Sequence, residues 1–293
     1  MRNGSPWSGF TNLGIEMIID AHHHLWKFNT VDYGWMDDSM KVLKRDYLPA
    51  ELAGEIQQAG IEGTIVVQAR QTIKETLWLL TMAEENSFIK GVVGWVDLRS
   101  EKLTDQLEQV GNHPKLVGIR HVIHDEADDD FMLRSAFLQG IEKLQDYNLT
   151  YDLLLFPKHL GRAIEMVSMF PDLRFVLDHL SKPSIKSGIL HPWKDDIELL
   201  ATLPNVWCKI SGMVTEANLE SWKISDIEPY MKVVCDTFGS DRLLLGSDWP
   251  VCKLAGEYGQ VMGIPLAYFE KLNSHEKKRI FSQNAIECYQ LET

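Results

Sequence analysis

The sequence has little cysteine, and the cysteines are not spaced as a disulfide or zinc framework. Among 293 residues there are four, Cys208, Cys235, Cys252 and Cys288, and no two of them form a Cys-x-x-Cys pair. Small disulfide-stabilised secreted domains carry a much higher density, usually in regular patterns. We therefore expect four reduced thiols in a cytoplasmic protein.

Long hydrophobic runs and excess positive charge are also absent. No stretch of 18 apolar residues occurs, and the net charge is -13. The first feature excludes a transmembrane helix, and the second argues against binding to nucleic acids or to anionic membranes. Residues 1–16 lack the basic start and apolar centre of a signal peptide. We expect them to form a flexible extension ahead of one domain at residues 17–293.

Two common catalytic motifs are missing as well. No glycine-rich phosphate loop follows the first predicted strand, as it would in a doubly wound dinucleotide-binding sheet. The nucleophile elbow Gly-x-Ser-x-Gly does not occur either, which disfavours a serine hydrolase of that type. A covalent intermediate is therefore less favoured than direct attack by water.

What the sequence contains instead is a regular alternation of apolar strands and amphipathic helices. The first strand begins at Ile18, and seven further strands are predicted at 63–69, 92–96, 116–119, 150–156, 174–177, 206–212 and 242–246. Strands separated by helices pair in parallel, and eight such units close into a (β/α)8 barrel. Thr72 and Glu75 predict a capped start for the second helix. The fold class is therefore α/β, a single (β/α)8 TIM barrel.

Polar residues follow several of these strands, where the open face of a parallel barrel would lie. His22 and His24 alternate along the first strand, so their side chains should share a face, with His23 on the other. The later strand ends carry Gln68, Arg70, Asp97, Arg120, His121, Asp152, His179, Lys209 and Asp248. Because the carboxyl ends of all eight strands meet at one face, these side chains should converge there.

Imidazoles and a carboxylate at one face are suited to the attack of water on a carbonyl group. Asp248 is the predicted general base, while His22, His24 and His179 would orient water or polarise the carbonyl. The same four residues could hold one divalent metal ion, and nitrogen ligands favour Zn²⁺. Trp26 and Trp35 offer flat apolar faces of the kind that contact sugars.

The local runs resemble one family over the chain from Met17 onward. They include His22-x-His24-x-Trp26, Asp32-Tyr33-x-Trp35, Asp178-His179-x-x-Lys182-Pro183 and Gly246-Ser247-Asp248-Trp249-Pro250. This set is similar to the amidohydrolase superfamily, and within it to the amidohydrolase-2 group of sugar lactonases. The resemblance implies hydrolysis of a small sugar lactone, that of a six-carbon 6-deoxy aldonic acid, to the open acid. Arg120, His121 and Lys209 would then bind or polarise the substrate.

The sequence departs from the superfamily's two-metal pattern. Binuclear members place a bridging lysine or glutamate on strand four and a histidine on strand five, whereas this chain has Arg120-His121 and Asp152 there. The permanent charge of Arg120 would repel a nearby cation. We therefore expect either no required cofactor or one divalent metal ion per site.

Three alternatives and one partner question remain open at this point. The substrate could be a carboxylated lactone, muconolactone- or pyrone-like, held by Arg70, Arg120 and Lys209. The barrel could instead house a metal-dependent decarboxylase, or be a non-catalytic binding protein. The sequence leaves a homo-oligomer open and predicts neither nucleic-acid nor membrane partners.

Overall fold

Eight parallel strands form one sheet in sequence order. The computed structural model describes residues 17–292, so the predicted extension at residues 1–16 lies outside the described residues, as does Thr293. The strands are β1 (Ile19–His23), β2 (Gly63–Val67), β3 (Ile89–Gly94), β4 (Leu116–Val122), β5 (Thr150–Leu154), β6 (Phe175–Leu177), β7 (Val206–Ile210) and β8 (Leu243–Leu245). The predicted (β/α)8 barrel is confirmed.

The seam between β8 and β1 is closed by the residues that follow β8. A bridge joins His23 to Trp249. The amide of Asp248 donates to the carbonyl oxygen of His22 at 2.8 Å, and the amide of His24 donates to the carbonyl oxygen of Trp249 at 2.6 Å. The segment that closes the barrel therefore carries the predicted base.

Helices cover the outside of the barrel. They are α1 (Pro49–Ala59), α2 (Ile73–Glu85), α3 (Leu103–Val110), α4 (Ser135–Lys143), α5 (Leu160–Met169), α6 (Trp193–Leu200), α7 (Ile224–Phe238), α8 (Tyr258–Tyr268), α9 (Ser274–Lys278) and α10 (Asn284–Tyr289). A π-helical turn at Arg279–Gln283 joins α9 to α10. None of the helices within residues 17–292 combines the length and apolar character needed to cross a membrane.

At the start of α2, only half of the predicted capping pair is formed. Thr72 caps the helix as predicted, because its Oγ1 accepts from the amide of Glu75 at 3.2 Å. The Glu75 carboxylate does not return to Thr72. It accepts instead from the amides of Ala69 and Arg70, at 3.0 and 2.7 Å, and so fixes the loop after β2.

Two apolar cores hold the layers together. The larger lies between strands and helices, and includes Val66, Leu79 and Ile141. The smaller combines strand residues such as Ile19 and Val93 with Tyr289 and other residues of α10 and the chain beyond it. Since the side chain of Leu291 lies against Gly91, near the start of β3, this last segment closes the amino-terminal end of the barrel.

The chain leaves β6 through an unusual backbone conformation. Four successive residues have left-handed φ angles, namely His179 at 53°, Leu180 at 54°, Ser181 at 60° and Lys182 at 50°. Asp248 after β8 has φ of 56°. Such conformations are disfavoured for side chains other than Asn, Asp and Gly, and they concentrate at functional sites.

Candidate active site

The two histidines of β1 meet ring to ring at the open end of the barrel. The Nε2 atoms of His22 and His24 are 3.3 Å apart. The Nδ1 of His24 lies 2.8 Å from the carbonyl oxygen of Val67, so it must be the donor, and Nε2 presents a lone pair. His23 points the other way, as strand alternation predicts, and contacts Oγ1 of Thr64 at 2.9 Å.

Two more side chains complete the cluster, His179 from the end of β6 and Asp248 from the segment that follows β8, the neighbour of β1. Oδ1 of Asp248 lies 3.4 Å from Nε2 of His24, and 3.9 Å from Nε2 of both His22 and His179. The Nδ1 of His179 is 2.9 Å from Oγ of Ser211. Gly212 makes room for this ring, because a Cβ there would lie 2.5 Å from Nδ1 of His179.

A buried network of opposite charges lies directly beneath. Asp178 pairs with Nη1 of Arg120 at 2.9 Å and with Nζ of Lys209 at 3.0 Å. Lys209 also donates to Asp152 at 2.6 Å, and Asp152 accepts from the hydroxyl of Tyr289 at 2.8 Å. Buried charges are tolerated when they are paired in this way. The network therefore supplies a fixed floor for the imidazoles.

The environment sets the charge of each group. Burial opposes ionisation of Asp248, but the imidazoles of His179, His24 and His22 outweigh it and hold the pKa of Asp248 well below its ordinary value. Burial lowers the pKa of His179 to about 3 and that of His22 well below its usual range. At neutral pH the site thus combines an ionised carboxylate with two neutral imidazoles, as a general base with supporting ligands requires.

A cavity of about 470 Å³ opens above this cluster. His24, His179, Asp248 and Arg120 lie at its floor. The rest of its wall is part apolar and part polar, and comprises Trp26, Trp35, Met40, Gln68, Ala69, Val122, His124, Asp125, Leu154, Lys182, Thr215, Glu216, Leu219, Val251 and Leu254. The volume lies in the range of small-molecule sites.

The cluster fits one metal ion. Two ligand atoms that each lie about 2.05 Å from a tetrahedral ion are about 3.3 Å apart. The Nε2 atoms of His22 and His24 are separated by 3.3 Å, and Nε2 of His24 lies 3.4 Å from Oδ1 of Asp248, so both distances match. The carbonyl behind His24 also orients that ring as metal sites require. A second grouping, His22 with Asp178 and His179, is less suitable, because Asp178 is already paired with Arg120 and Lys209.

The structure brings some predicted site residues into the cavity and places others elsewhere. His24, His179, Asp248, Arg120, Trp26 and Trp35 line it. His22 and Lys209 have no exposed surface and lie beneath it. His121 is turned away from the cavity, where its ring stacks on Phe131 in the turn before α4 at 4.9 Å and meets Phe137 of α4 at 5.8 Å. His121 and Lys209 are therefore not positioned to touch a substrate, which corrects the sequence-based assignment of both.

Several residues of the site were missed. Asp178 was not predicted because strict alternation would put it and His179 on opposite faces, and the left-handed turn brings both inward. Gln68 was noted at its strand end but given no role, and it binds Arg120. Three further lining residues were also missed, namely His124 and the ion pair of Lys182 with Glu216 at 2.7 Å. Each lies a few residues beyond the end of a strand, where the periodicity of the sequence gives no signal.

A (β/α)8 barrel with His-x-His at the end of β1, histidine after β6 and aspartate after β8 is a framework on which hydrolytic enzymes activate water at the strand ends. The family model described as amidohydrolase (Amidohydro_2) matches residues 19–291. The chain belongs to this family, and the resemblance found in the sequence is confirmed.

Curated relatives and solved structures agree with the family. The chain is 37% identical over 279 residues to an L-fucono-1,5-lactonase of Burkholderia ambifaria, covering 94% of this chain and 96% of the relative. It is 36% identical over 284 residues to an L-fucono-1,5-lactonase of Burkholderia multivorans, with 93% and 96% covered. A crystal structure of a Burkholderia multivorans amidohydrolase with bound zinc superimposes with a TM-score of 0.91, at 36% identity and 94% and 100% coverage.

Proposed function

We propose that this enzyme hydrolyses a neutral sugar lactone, L-fucono-1,5-lactone or a related 6-deoxy-L-aldonolactone, to the free acid. The observation that carries the proposal is the convergence of the Asp248 carboxylate with Nε2 of His24 and His179 at the floor of a cavity of about 470 Å³. The names of the two Burkholderia relatives support the choice of sugar.

In this proposal Asp248 activates the attacking water. Its carboxylate is ionised at neutral pH, so it accepts a proton from a water molecule held against the lone pair of His24 Nε2. The resulting hydroxide attacks the lactone carbonyl, and the guanidinium of Arg120 at the cavity floor balances the charge of the tetrahedral oxygen. Asp248 then returns the proton to the ring oxygen as the carbon–oxygen bond breaks. General base catalysis of this kind is typically worth about 10²–10⁴ in rate.

A metal ion has a place in this scheme without being required by it. His24, His179, Asp248 and His22 would hold the ion, and a bound divalent cation would act as a Lewis acid on the carbonyl or on water. The residues described above bind, orient and deprotonate water by themselves. Lactone carbonyls are more electrophilic than amides and their alkoxides leave more readily, so less assistance is needed.

The charges around the cavity favour a neutral substrate over a carboxylated one. Arg120 is engaged by Asp178 and Gln68, and Lys182 by Glu216. Arg70 pairs with Asp32 at 2.7 Å and is not among the lining residues. Among the ionisable lining side chains, three carboxylates face two cations. A substrate carboxylate would therefore meet no unpaired cation within residues 17–292, which argues against both the pyrone-type hydrolase and the decarboxylase.

Part of the cavity lining suits the apolar parts of a deoxy sugar. Trp35, Met40, Leu219 and Leu254 supply apolar lining, and His124 and Lys182 supply polar lining in the same cavity. Indole and aliphatic faces pack against C–H groups and a methyl substituent, while hydroxyl groups need hydrogen-bonding partners. We propose that the C6 methyl group lies towards Trp35.

A pH-indicator assay over a panel of lactones tests the proposal. We expect proton release from L-fucono-1,5-lactone and related L-aldonolactones, weak activity on amides, and none on muconolactones or pyrone carboxylates. A Trp35→Ala variant should raise KM for the 6-deoxy lactone more than for its 6-hydroxy counterpart. Turnover of carboxylated lactones with inert sugar lactones, or release of carbon dioxide from an acid, would replace the proposal with one of its rivals.

A further inference from the structure

A turn at residues 30–35, between β1 and α1, brings Trp35 to the cavity. Trp35 is 45% exposed, and its ring meets Trp26 edge-on with 6.4 Å between centroids. Trp26 is fully buried, and its Nε1 donates to the carbonyl oxygen of Arg45 at 2.9 Å. Because an indole that is nearly half exposed is not held by packing alone, the position of Trp35 depends on what holds the turn.

Asn29 closes this turn from within. Its side-chain oxygen accepts from the amides of Val31 and Asp32, at 3.1 and 2.8 Å, and its side-chain nitrogen donates to Oδ2 of Asp32 at 2.7 Å. The carbonyl oxygen of Asn29 also accepts from the amide of Tyr33 at 3.2 Å. These bonds make the turn a single unit, so a partner that holds Asp32 and Tyr33 also places Trp35.

Arg70, in the loop after β2, contacts the turn at both of these residues. Its Nη2 lies 2.7 Å from Oδ1 of Asp32, the carboxylate oxygen that Asn29 leaves free. Its guanidinium carbon lies 5.8 Å from the centroid of the Tyr33 ring, within the range of a cation–π contact. Tyr33 is buried and also packs against Trp26 at 5.8 Å. Arg70 therefore joins the turn to the neighbouring βα loop.

The loop that carries Arg70 is itself fixed. The buried Glu75 carboxylate accepts from the amides of Ala69 and Arg70, so the main chain is held where the arginine side chain begins. The paired side chains of Arg70 and Asp32 are only 22% and 33% exposed, so water screens their attraction less than it screens a fully exposed pair. Neither residue lines the cavity, so an effect of either on substrate must pass through the turn.

We propose that Arg70 is a positioning residue that holds Trp35 at the cavity through Asp32 and Tyr33, and so determines specificity for the deoxy end of the sugar. This inference rests on the proposed function for the identity of the substrate. It gives Arg70 a role other than binding a substrate carboxylate. Since the C6 end of the sugar is remote from the lactone carbonyl, Arg70 contributes to substrate binding and not to the chemical step, and its loss raises KM without lowering kcat.

A double-mutant cycle between Arg70 and Trp35 tests the proposal. We expect Arg70→Met to raise KM for the 6-deoxy lactone about 3- to 10-fold, because one partly exposed ion pair and one cation–π contact are lost. The rise should be smaller for the 6-hydroxy counterpart, and kcat should be unchanged for both. In a Trp35→Ala background the same substitution should add no further loss. Additive losses, or a fall in kcat, would overturn the proposal.

Two further variants separate this ion pair from ion pairs in general. Asp32→Asn removes the charge from the other partner and should raise KM in the same selective way. Glu51→Gln is the matched control, because Glu51 pairs with Arg45 at 2.6 Å just ahead of and within the start of α1, and neither residue lines the cavity. We expect the control to keep wild-type KM. A rise equal to that of Arg70→Met would refute a specific role for Arg70.

Hydrogen exchange in the substrate-free protein separates this inference from the proposed function. Arg70→Met should speed amide exchange at residues 30–35 relative to wild type, because the turn loses its partner on the neighbouring loop, and Glu51→Gln should not. If no sugar lactone is turned over, the proposed function fails, and exchange alone then decides whether Arg70 holds the turn. Unchanged exchange in Arg70→Met would overturn the inference whatever the kinetics give.

Discussion

Replacing Asp248 with asparagine removes the proposed base while preserving its shape. Asparagine tolerates the left-handed backbone at this position, where φ is 56°, about as well as aspartate does. An alanine would add backbone strain and a cavity to the loss of the carboxylate. The amide keeps one oxygen near His24 but cannot accept a proton from water at neutral pH. The substitution therefore isolates the chemical step.

The expected loss follows from the position of the carboxylate. Oδ1 of Asp248 is 3.4 Å from His24 and 3.9 Å from His179, and no other carboxylate lies on the cavity floor among the described residues. His179 is a poor replacement as base, because burial lowers its pKa to about 3. We expect kcat to fall about 10²- to 10⁴-fold, which is about 2.7–5.4 kcal/mol of transition-state stabilisation.

The assay compares kcat and KM for the most reactive lactone, with melting temperature and metal content measured on the same samples. Asp125→Asn is the matched control, since Asp125 lines the same cavity but is hydrogen-bonded to His124 and not to the imidazoles around Asp248. We expect the control to keep kcat within about fivefold, because it removes no proton acceptor from the floor. A folded Asp248→Asn enzyme with near-normal kcat would remove Asp248 from the mechanism.

Four further results are expected. Asp248 must be ionised to act, and its pKa is held well below its usual value, so kcat/KM should be flat from pH 5 to 8; an acidic limb within that window would contradict this. Burial raises the pKa of Glu75 from an ordinary value of 4.5 to about 7. The protonated side chain therefore contributes stability at low pH, and this contribution is lost as the pH rises from the unfolded pKa towards 7. Glu75→Gln should therefore raise the melting temperature relative to wild type more at pH 8 than at pH 5, and an equal difference at both pH values would refute the assignment. Gly212→Ala should lower kcat about tenfold or more by displacing His179, with a smaller change in KM, whereas unchanged kcat would show that the ring has room to move. Elemental analysis should find at most one metal per chain, and activity should largely survive chelation; two equivalents, or complete loss restored by Zn²⁺, would show that the site depends on metal.

The barrel and the central cluster were predictable because each depends on a strong periodic signal. Eight apolar segments separated by helices leave few alternatives, and the carboxyl ends of parallel strands must converge. His22, His24, His179 and Asp248 were therefore placed together before any contact was known, and the structure brings them together.

The sequence did not predict how deeply individual side chains of the site are buried or in which direction they point. Arg120 and His121 are adjacent on β4 and were treated alike, but alternation sends one to the cavity floor and the other into the layer beneath α4. Lys209 resembles a substrate ligand in sequence, yet it is buried because Asp152 and Asp178, from two other strands, neutralise it. Tyr289 carries no local signal, since only the closure of the barrel brings α10 beneath Asp152.

At the seam of the barrel, the first strand and the segment after the last strand meet, and the proposed active site is formed where they join. Asp248 and His22 are 226 residues apart but are joined by the main-chain hydrogen bond that closes the cylinder, and Asp20 holds Ser247 in the same seam. The proposed base and its imidazoles are thus brought together by closure of the barrel, not by any one βα unit. A fragment that lacks either border strand would contain no working half-site. Heating should also abolish turnover as soon as this junction opens, while the helical content measured by circular dichroism is still largely retained.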